Sequence, residues 1–268
     1  GEVAAGRLAD GGLEVVVVEN HLVAGECSYY ACMPSKALLR PGDLIDEARR
    51  IPGVKEAVTG DIDVASALAR RDEVIHDLDD SVQLPWLEDK GIRLVRGSGK
   101  LTGEKTVTAG EHEITASRAV VISTGTRPAM PPIDGLADSS PWNNRDATTA
   151  KKAPASMLVL GGGPVGVEMA QAWASFGTDV TLIDLDPRLL AREEPFAAEQ
   201  VEKSLRERFG VEVVTGAKTT KVSREGATVK LSLEDGREFE AEEILAATGR
   251  KPNSDDIGLD SVGVEADP

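Results

Sequence analysis

The two cysteines of the chain, Cys27 and Cys32, stand five positions apart in Gly25-Glu26-Cys27-Ser28-Tyr29-Tyr30-Ala31-Cys32-Met33-Pro34-Ser35-Lys36. So sparse and local a pair is no extracellular disulfide framework; in a cytosolic chain it points to redox or metal chemistry. Five residues of regular helix would advance the chain by about 7.5 Å, beyond the usual ~7 Å limit between bridged alpha carbons. A disulfide here therefore needs a distorted turn before a helix continues from about Pro34. A bridge closing so small a loop stabilises little against unfolding, so its value would be chemical. Zinc is the competing explanation, but no second Cys or His pair stands at ligand spacing, and no metal is expected. Two unrelated thiols are the plain alternative.

A second group of residues has the types and spacing to hold a dinucleotide. Met157 to Leu160 reads as a short apolar strand; Gly161-Gly162-Gly163-Pro164-Val165-Gly166 then gives G-x-G-x-x-G, and Asp184 follows about twenty residues on. Gly161 permits the tight turn, Gly163 lets the backbone approach a pyrophosphate, and Gly166 lets helix and strand pack without a side chain between them. The helix start offers N–H groups and a positive dipole end to phosphates. A carboxylate at Asp184 accepts the 2'-hydroxyl of NAD and repels the 2'-phosphate of NADP; Arg188 and Arg192 follow Pro187 and do not replace it directly. NADH is the expected nucleotide. An ordinary glycine turn is the bland reading, and the strand before, the helix after and the distant acid argue against it.

The chain also repeats itself. Gly1 to Glu19 lies over Gly166 to Asp184 without a gap: a Gly opens a helix, Ala5 matches Ala170, Gly12 matches Gly177, and aliphatic runs end in an acid. By this alignment Gly1 is the third glycine of an identical motif whose first strand and first two glycines would precede it, and Glu19 is its ribose ligand. A simple helix-to-strand crossover is the alternative. A further element is repeated: Val120 to Pro128 ends in Thr124-Gly125-Thr126-Arg127-Pro128, and Ile244 to Pro252 in Thr248-Gly249-Arg250-Lys251-Pro252. Both are expected to be strands ending in the same turn.

With the cysteine pair after a first dinucleotide motif and a complete second motif downstream, the chain resembles the FAD-dependent pyridine nucleotide-disulfide oxidoreductases, the group that contains dihydrolipoyl dehydrogenase, glutathione reductase and mercuric reductase. Cys-x4-Cys followed by Pro-Ser-Lys is the most specific part of the likeness; thioredoxin reductases, with Cys-x-x-Cys inside the nicotinamide domain, are less similar. The resemblance implies that hydride passes from the nicotinamide to FAD, which then opens a Cys27–Cys32 disulfide. Cys27 would attack a substrate disulfide, and Cys32 would be the thiolate against the flavin. Lys36 matches the lysine near the flavin's reactive nitrogen, and Glu168 the glutamate paired with it. Their plain readings are a surface helix cation and a helix-start acid. The implied cofactor-binding set is Gly1, Glu19, Lys36, Thr124, Gly125, Gly161, Gly163, Gly166, Glu168, Asp184 and Gly249. The substrate would be a small-molecule or protein-bound disulfide or dithiol. The family's Val-Asn-x-Gly spacer is here Ser28-Tyr29-Tyr30-Ala31, which bears on access to the disulfide. The acid/base His-Glu pair has no match at His21, His76 or His112; in the family it belongs to a C-terminal interface domain through which members form homodimers, and that domain would begin after Pro268. Reduction of quinones or metal ions along the same electron path, and a non-catalytic dinucleotide-binding module, are the alternatives.

These residues require an α/β fold of two Rossmann-like domains, an FAD domain with an inserted NAD(P) domain, truncated at both ends. The expected divisions are 1–150 for the FAD domain with the redox pair, 151–250 for the NAD(P) domain and 251–268 for the return to the first. The elements expected are a helix from Gly1, a strand through Val18, a helix through about Arg50 and a long polar helix within Val64 to Leu87. Short strands follow around Ile92 to Arg96, Val107, Ile114 and Val120 to Ile122; Pro128 to Pro154 reads as a linker. Strands at Val211 to Val214, Thr228 to Leu233 and Glu238 to Glu240 finish the second domain. The chain's 268 residues, 41% of them apolar, allow substantial cores, and 46 acidic against 30 basic residues give a net charge of −16 that repels nucleic acid. No apolar run is long enough for a bilayer and no leader opens the chain, so a cytoplasmic protein is expected.

Overall fold

The computed structural model describes residues 1–266; the last two positions of the expected 251–268 segment lie outside the described residues. In chain order the elements are α1 (Glu2–Asp10), β1 (Val16–Glu19), α2 (Gly25–Tyr29), α3 (Cys32–Arg50), α4 (Val64–Val74), α5 (Leu84–Asp89), β2 (Arg93–Arg96), β3 (Gly99–Gly103), β4 (Thr106–Ala109), β5 (His112–Thr115) and β6 (Thr126–Pro128). There follow α6 (Asn144–Thr149), β7 (Ser156–Leu160), α7 (Pro164–Ser175), β8 (Asp179–Ile183), α8 (Pro195–Phe209), β9 (Glu212–Val214), β10 (Thr219–Glu225), β11 (Thr228–Leu233), β12 (Glu238–Ala241), β13 (Glu243–Ala246) and β14 (Arg250–Pro252). The chain forms two compact units, each discontinuous: residues 1–27, 76–127 and 250 onward make the first, and 28–75 with 128–249 the second. This grouping differs from a division at 150 and 250, because residues 28–75 pack with the second unit.

In the first unit α1 starts at Gly1 and leads to β1, which pairs in parallel with β2, Val17 opposite Leu94. Ala5, Val23, Leu87 and Ile92 form its small core, with Trp86 packed against it. β3, β4 and β5 make an antiparallel meander. The two repeated turns pair with one another through β6 and β14. Two expectations are corrected here. Residues Val120 to Ile122 form no strand, and Val121 and Ile122 are 56% and 47% exposed. Their counterparts in the second repeat, β13, take their ladder from β7. The helix expected across Val64 to Leu87 is broken: His76, Asp77 and Leu78 all have φ between 50° and 63°, and α4 and α5 belong to different units. A helix cannot run through consecutive left-handed residues. The Asp80 carboxylate fixes the chain after the break by accepting from the Val23 N–H at 2.7 Å and pairing with Arg96 at 2.7 Å.

The second unit is built on a parallel sheet ordered β13-β7-β8-β9, with α7 as the crossover from β7 to β8. Strands this apolar are buried on both faces, as helix-covered parallel sheets require: Met157, Leu158, Val159, Leu182 and Ile183 are all buried. On one side the core gathers around Trp173 of α7 with Leu38 of α3 and Ala67 and Leu68 of α4; a second cluster joins the sheet to the antiparallel β10-β11-β12. Residues 128–154, expected as a linker, are integral to this unit. Leu136 and Ala147 are completely buried, and the Trp142 backbone donates to Ile244 O and accepts from Ala246 N, both at 2.8 Å, extending the sheet beyond β13. The Pro, Asp and Ser content that resembled a linker serves tight turns here; a Cβ at Gly135, φ +71°, would collide with the Val222 carbonyl.

Candidate functional site

The glycine motif joins β7 to α7 as its spacing required. Gly161 has φ +111°, and a Cβ there would lie 2.5 Å from Ala247 O; a Cβ at Gly166 would run into Gly161 O itself. Both positions need glycine for packing. Gly163, the residue before α7, has open space where a Cβ would stand, and among the described residues no side chain caps the helix start. Unclaimed N–H groups beside open space are what a phosphate requires. Asp184, at the end of β8, turns one carboxylate oxygen to the Gly162 N–H and the other to the Asp186 N–H at 2.8 Å. Gly162, absent from the expected site set, therefore ties the loop to the acid, and a Cβ there would stand 2.5 Å from that carboxylate. Arg188 is turned onto its own loop, donating to the carbonyls of Leu190, Ala191 and Glu193 at 2.8–3.0 Å. The residues present thus fit a dinucleotide, and the cation nearest Asp184 in sequence is occupied with backbone.

In the first unit Glu19 ends β1 as Asp184 ends β8, and its carboxylate accepts from the His21 N–H at 2.8 Å, the same bond to the second residue on. Gly1 caps α1, and Thr124 donates to Asn253 O at 2.7 Å beside Gly125, φ +69°. In its repeat the Thr248 hydroxyl reaches Ala129 O at 3.3 Å and Gly249 has φ +122°. The expected FAD residues therefore sit at a helix start, a strand end and tight turns, the geometry that lets backbone approach a ligand.

The cysteines flank a break between helices. Cys27 lies in α2 and Cys32 is the first residue of α3, two positions earlier than Pro34, and both residues are exposed. Cys32 thus stands at the N-terminus of α3. One turn on, Lys36 Nζ meets Glu168 Oε1 of α7 at 2.5 Å, the pairing that the resemblance implied. Close packing of α3 on α7 makes the meeting possible: Gly42 leaves no room for a Cβ against Ser175, and Gln171 donates to Asp43 at 2.8 Å.

Five residues near this segment lie outside the set expected from the sequence. Arg250, in the second repeated turn, bonds to Thr126 and reaches Glu26, the neighbour of Cys27, at 3.1 Å. Asn144 and Thr148 of α6 both reach the Tyr30 carbonyl at 3.1 Å, while the Arg145 guanidinium lies 4.6 Å over the Tyr30 ring. Arg71, wholly buried, donates to the carbonyls of Thr148 and Ala150 at the end of α6. Pro34 carried the one available signal, since it denies Tyr30 a helical hydrogen-bond donor. Among the described residues no group of three or more His, Cys, Asp or Glu is placed to hold a metal ion.

Comparison with known proteins agrees with this geometry. The pyridine nucleotide-disulphide oxidoreductase family matches residues 1–268, and the chain belongs to that family. It is 32% identical over 267 residues to a mercuric reductase of Staphylococcus aureus, covering 98% of this chain and 48% of that protein. It is 33% identical over 280 residues to a dihydrolipoyl dehydrogenase of Chlorobaculum tepidum, covering 100% of this chain and 58% of the relative. The chain thus spans about half the length of the curated relatives it matches. Among solved structures, LpdA from Mycobacterium tuberculosis superimposes with a TM-score of 0.80 at 25% identity, over 98% of this chain and 58% of that one. The HOCl-induced flavoprotein disulfide reductase RclA from Escherichia coli shares the fold with a TM-score of 0.84 at 24% identity, over 99% and 58%.

Proposed function

We propose that the intact protein is an FAD- and NADH-dependent disulfide oxidoreductase of the dihydrolipoyl dehydrogenase kind, and that Cys27 and Cys32 are its redox pair. The observation that carries this reading is the cysteine pair bracketing a helix break, one turn from the Lys36–Glu168 contact, in a chain of this family. When bound, NADH supplies a hydride and FAD relays its electron pair. Gly163 and the start of α7 would receive the nicotinamide dinucleotide's phosphates and Asp184 its ribose, while Gly1, Glu19, Thr124 and Gly125 would serve FAD. Arg188's engagement with its own loop supports NADH over NADPH. Lys36, held by Glu168, would place its side-chain nitrogen beside the reacting groups. Cys27 would attack a substrate disulfide, releasing one thiol; attack by Cys32 on the mixed disulfide would release the second and close Cys27 to Cys32. The net exchange is NADH, a proton and a disulfide for NAD+ and two thiols. The substrate would be a small-molecule or protein-bound disulfide, the protein a cytoplasmic homodimer.

A second reading, transfer of electrons from the same pair to a metal-ion substrate, is favoured by the similarity to a mercuric reductase. Anaerobic reductive titration of the full-length protein tests the redox pair. The parent should take up one electron pair more than Cys32→Ser, and NADH should reduce it faster than NADPH. Equal uptake in both would remove the cysteines from the electron path.

A further inference from the structure

The carbonyl of Tyr30, between the two cysteines, is a backbone acceptor that the helix cannot satisfy. In a continuous helix its donor would be the N–H of residue 34, and residue 34 is proline. Tyr30 is buried, so water is a poor substitute, and an unsatisfied buried carbonyl is costly. The donors come from α6: Asn144 Nδ2 and Thr148 Oγ1, each at 3.1 Å. Thr148 has one hydroxyl proton and shares it with Asn144 O at 2.8 Å, which leaves the Asn144 amide as the steadier donor.

The rest of α6 serves the same contact. An Asn143–Asp146 capping box fixes its start, Arg71 holds the carbonyls at its end, and Arg145 covers the Tyr30 ring. A helix of six residues, anchored at both ends, thus grips one peptide of the cysteine spacer through main chain and side chain.

We infer that Asn144, assisted by Thr148, is a positioning residue for the cysteine pair: it holds the non-helical break at Tyr30 that a Cys27–Cys32 bond requires. The inference rests on the proposal that these cysteines cycle between dithiol and disulfide. Unheld, the spacer would sample more conformations, including a helical turn whose alpha carbons lie too far apart to bridge, and ring closure would be less favourable.

The test is the equilibrium of the full-length protein with glutathione: the internal disulfide and two glutathione thiols exchange for the dithiol and glutathione disulfide, read by the mass shift on alkylation. Asn144→Ala should weaken the internal disulfide about tenfold, which for a two-electron couple is about 30 mV. Thr148→Val should move it the same way by less. Thr148→Ser keeps the hydroxyl, and Thr149→Val removes one that bonds Arg145 O at 2.7 Å and not Tyr30, so both should match the parent. Pro34→Ala tests the claim without deleting a donor, by offering the carbonyl a competing helical N–H; it should also weaken the bond. Parent values in folded Asn144→Ala and Pro34→Ala would overturn the inference. A parent whose thiols oxidise independently, each to a mixed glutathione disulfide, would instead overturn the redox-pair reading beneath it.

Discussion

The role proposed for Lys36 depends on where its charge is placed and not on the strength of its contact with Glu168. Its side chain is 62% exposed and that of Glu168 34%, so their 2.5 Å contact is screened by water and contributes little to stability. Lys36→Met should therefore lower unfolding free energy by less than about 1 kcal/mol while slowing NADH-driven disulfide reduction by on the order of 10², as loss of a placed charge does. Parallel denaturation and turnover measurements separate the two effects, and an unchanged rate would return Lys36 to an ordinary surface cation. Asp80 is the opposite case. Its bond from Arg96, with help from the Val23 N–H, holds its carboxyl below the usual carboxylate range. Because the folded value is the lower one, the stabilisation is present above the ordinary carboxylate pKa and disappears as pH falls through the lowered value. Asp80→Asn should cost about 1–3 kcal/mol near neutral pH and less in acid, read from denaturation midpoints across that range.

At the scale of the element, the glycines of the β7–α7 turn divide into two kinds. Gly166 is closed by Gly161 O, and Gly163 faces open space at an ordinary φ of −76°. Gly166→Ala should thus cost about 3 kcal/mol or more in urea denaturation, through overpacking against backbone. Gly163→Ala should stay within about 1 kcal/mol of the parent and weaken dinucleotide binding instead. This turn was legible beforehand because its rules are local: a strand, three glycines at fixed offsets and an acid at the next strand end. Elements set by distant partners were not. The pattern from Val64 to Leu87 looks helical throughout, yet its two halves bury themselves in different units and the helix is broken between them by the left-handed residues His76 to Leu78. The apolar run at Val120 to Ile122 reads as strand but has no ladder partner among the described residues. Residues 128–154 carry a linker's composition, while Leu136 and Trp142, too few to show periodicity, anchor them in the core and on the sheet edge.

For the whole molecule the internal repeat was the most informative feature, since it announced two dinucleotide folds before either could be seen. Its acids even make the same bond, to the N–H two residues on, at Glu19 and Asp184. What the repeat could not disclose is that α3 and α4, between the two copies, pack with the second, because that depends on how Leu38 and Ala67 meet Trp173. The discontinuity has a consequence for synthesis. Most of the first unit's residues precede the second unit in sequence, but the meander of β3, β4 and β5 is met by residues that follow it, where the Ile257 carbonyl accepts from the Leu101 N–H at 2.8 Å and Asp256 pairs with Lys100 at 2.5 Å. The meander must therefore wait for the whole of the second unit before these two contacts can form. Nascent chains stalled just before Arg250 should lose β3 to β5 to a protease while β7 to β9 survive, and extension through Ile257 should restore protection. For these three strands, then, the order in which contacts close runs against the order in which the strands are made.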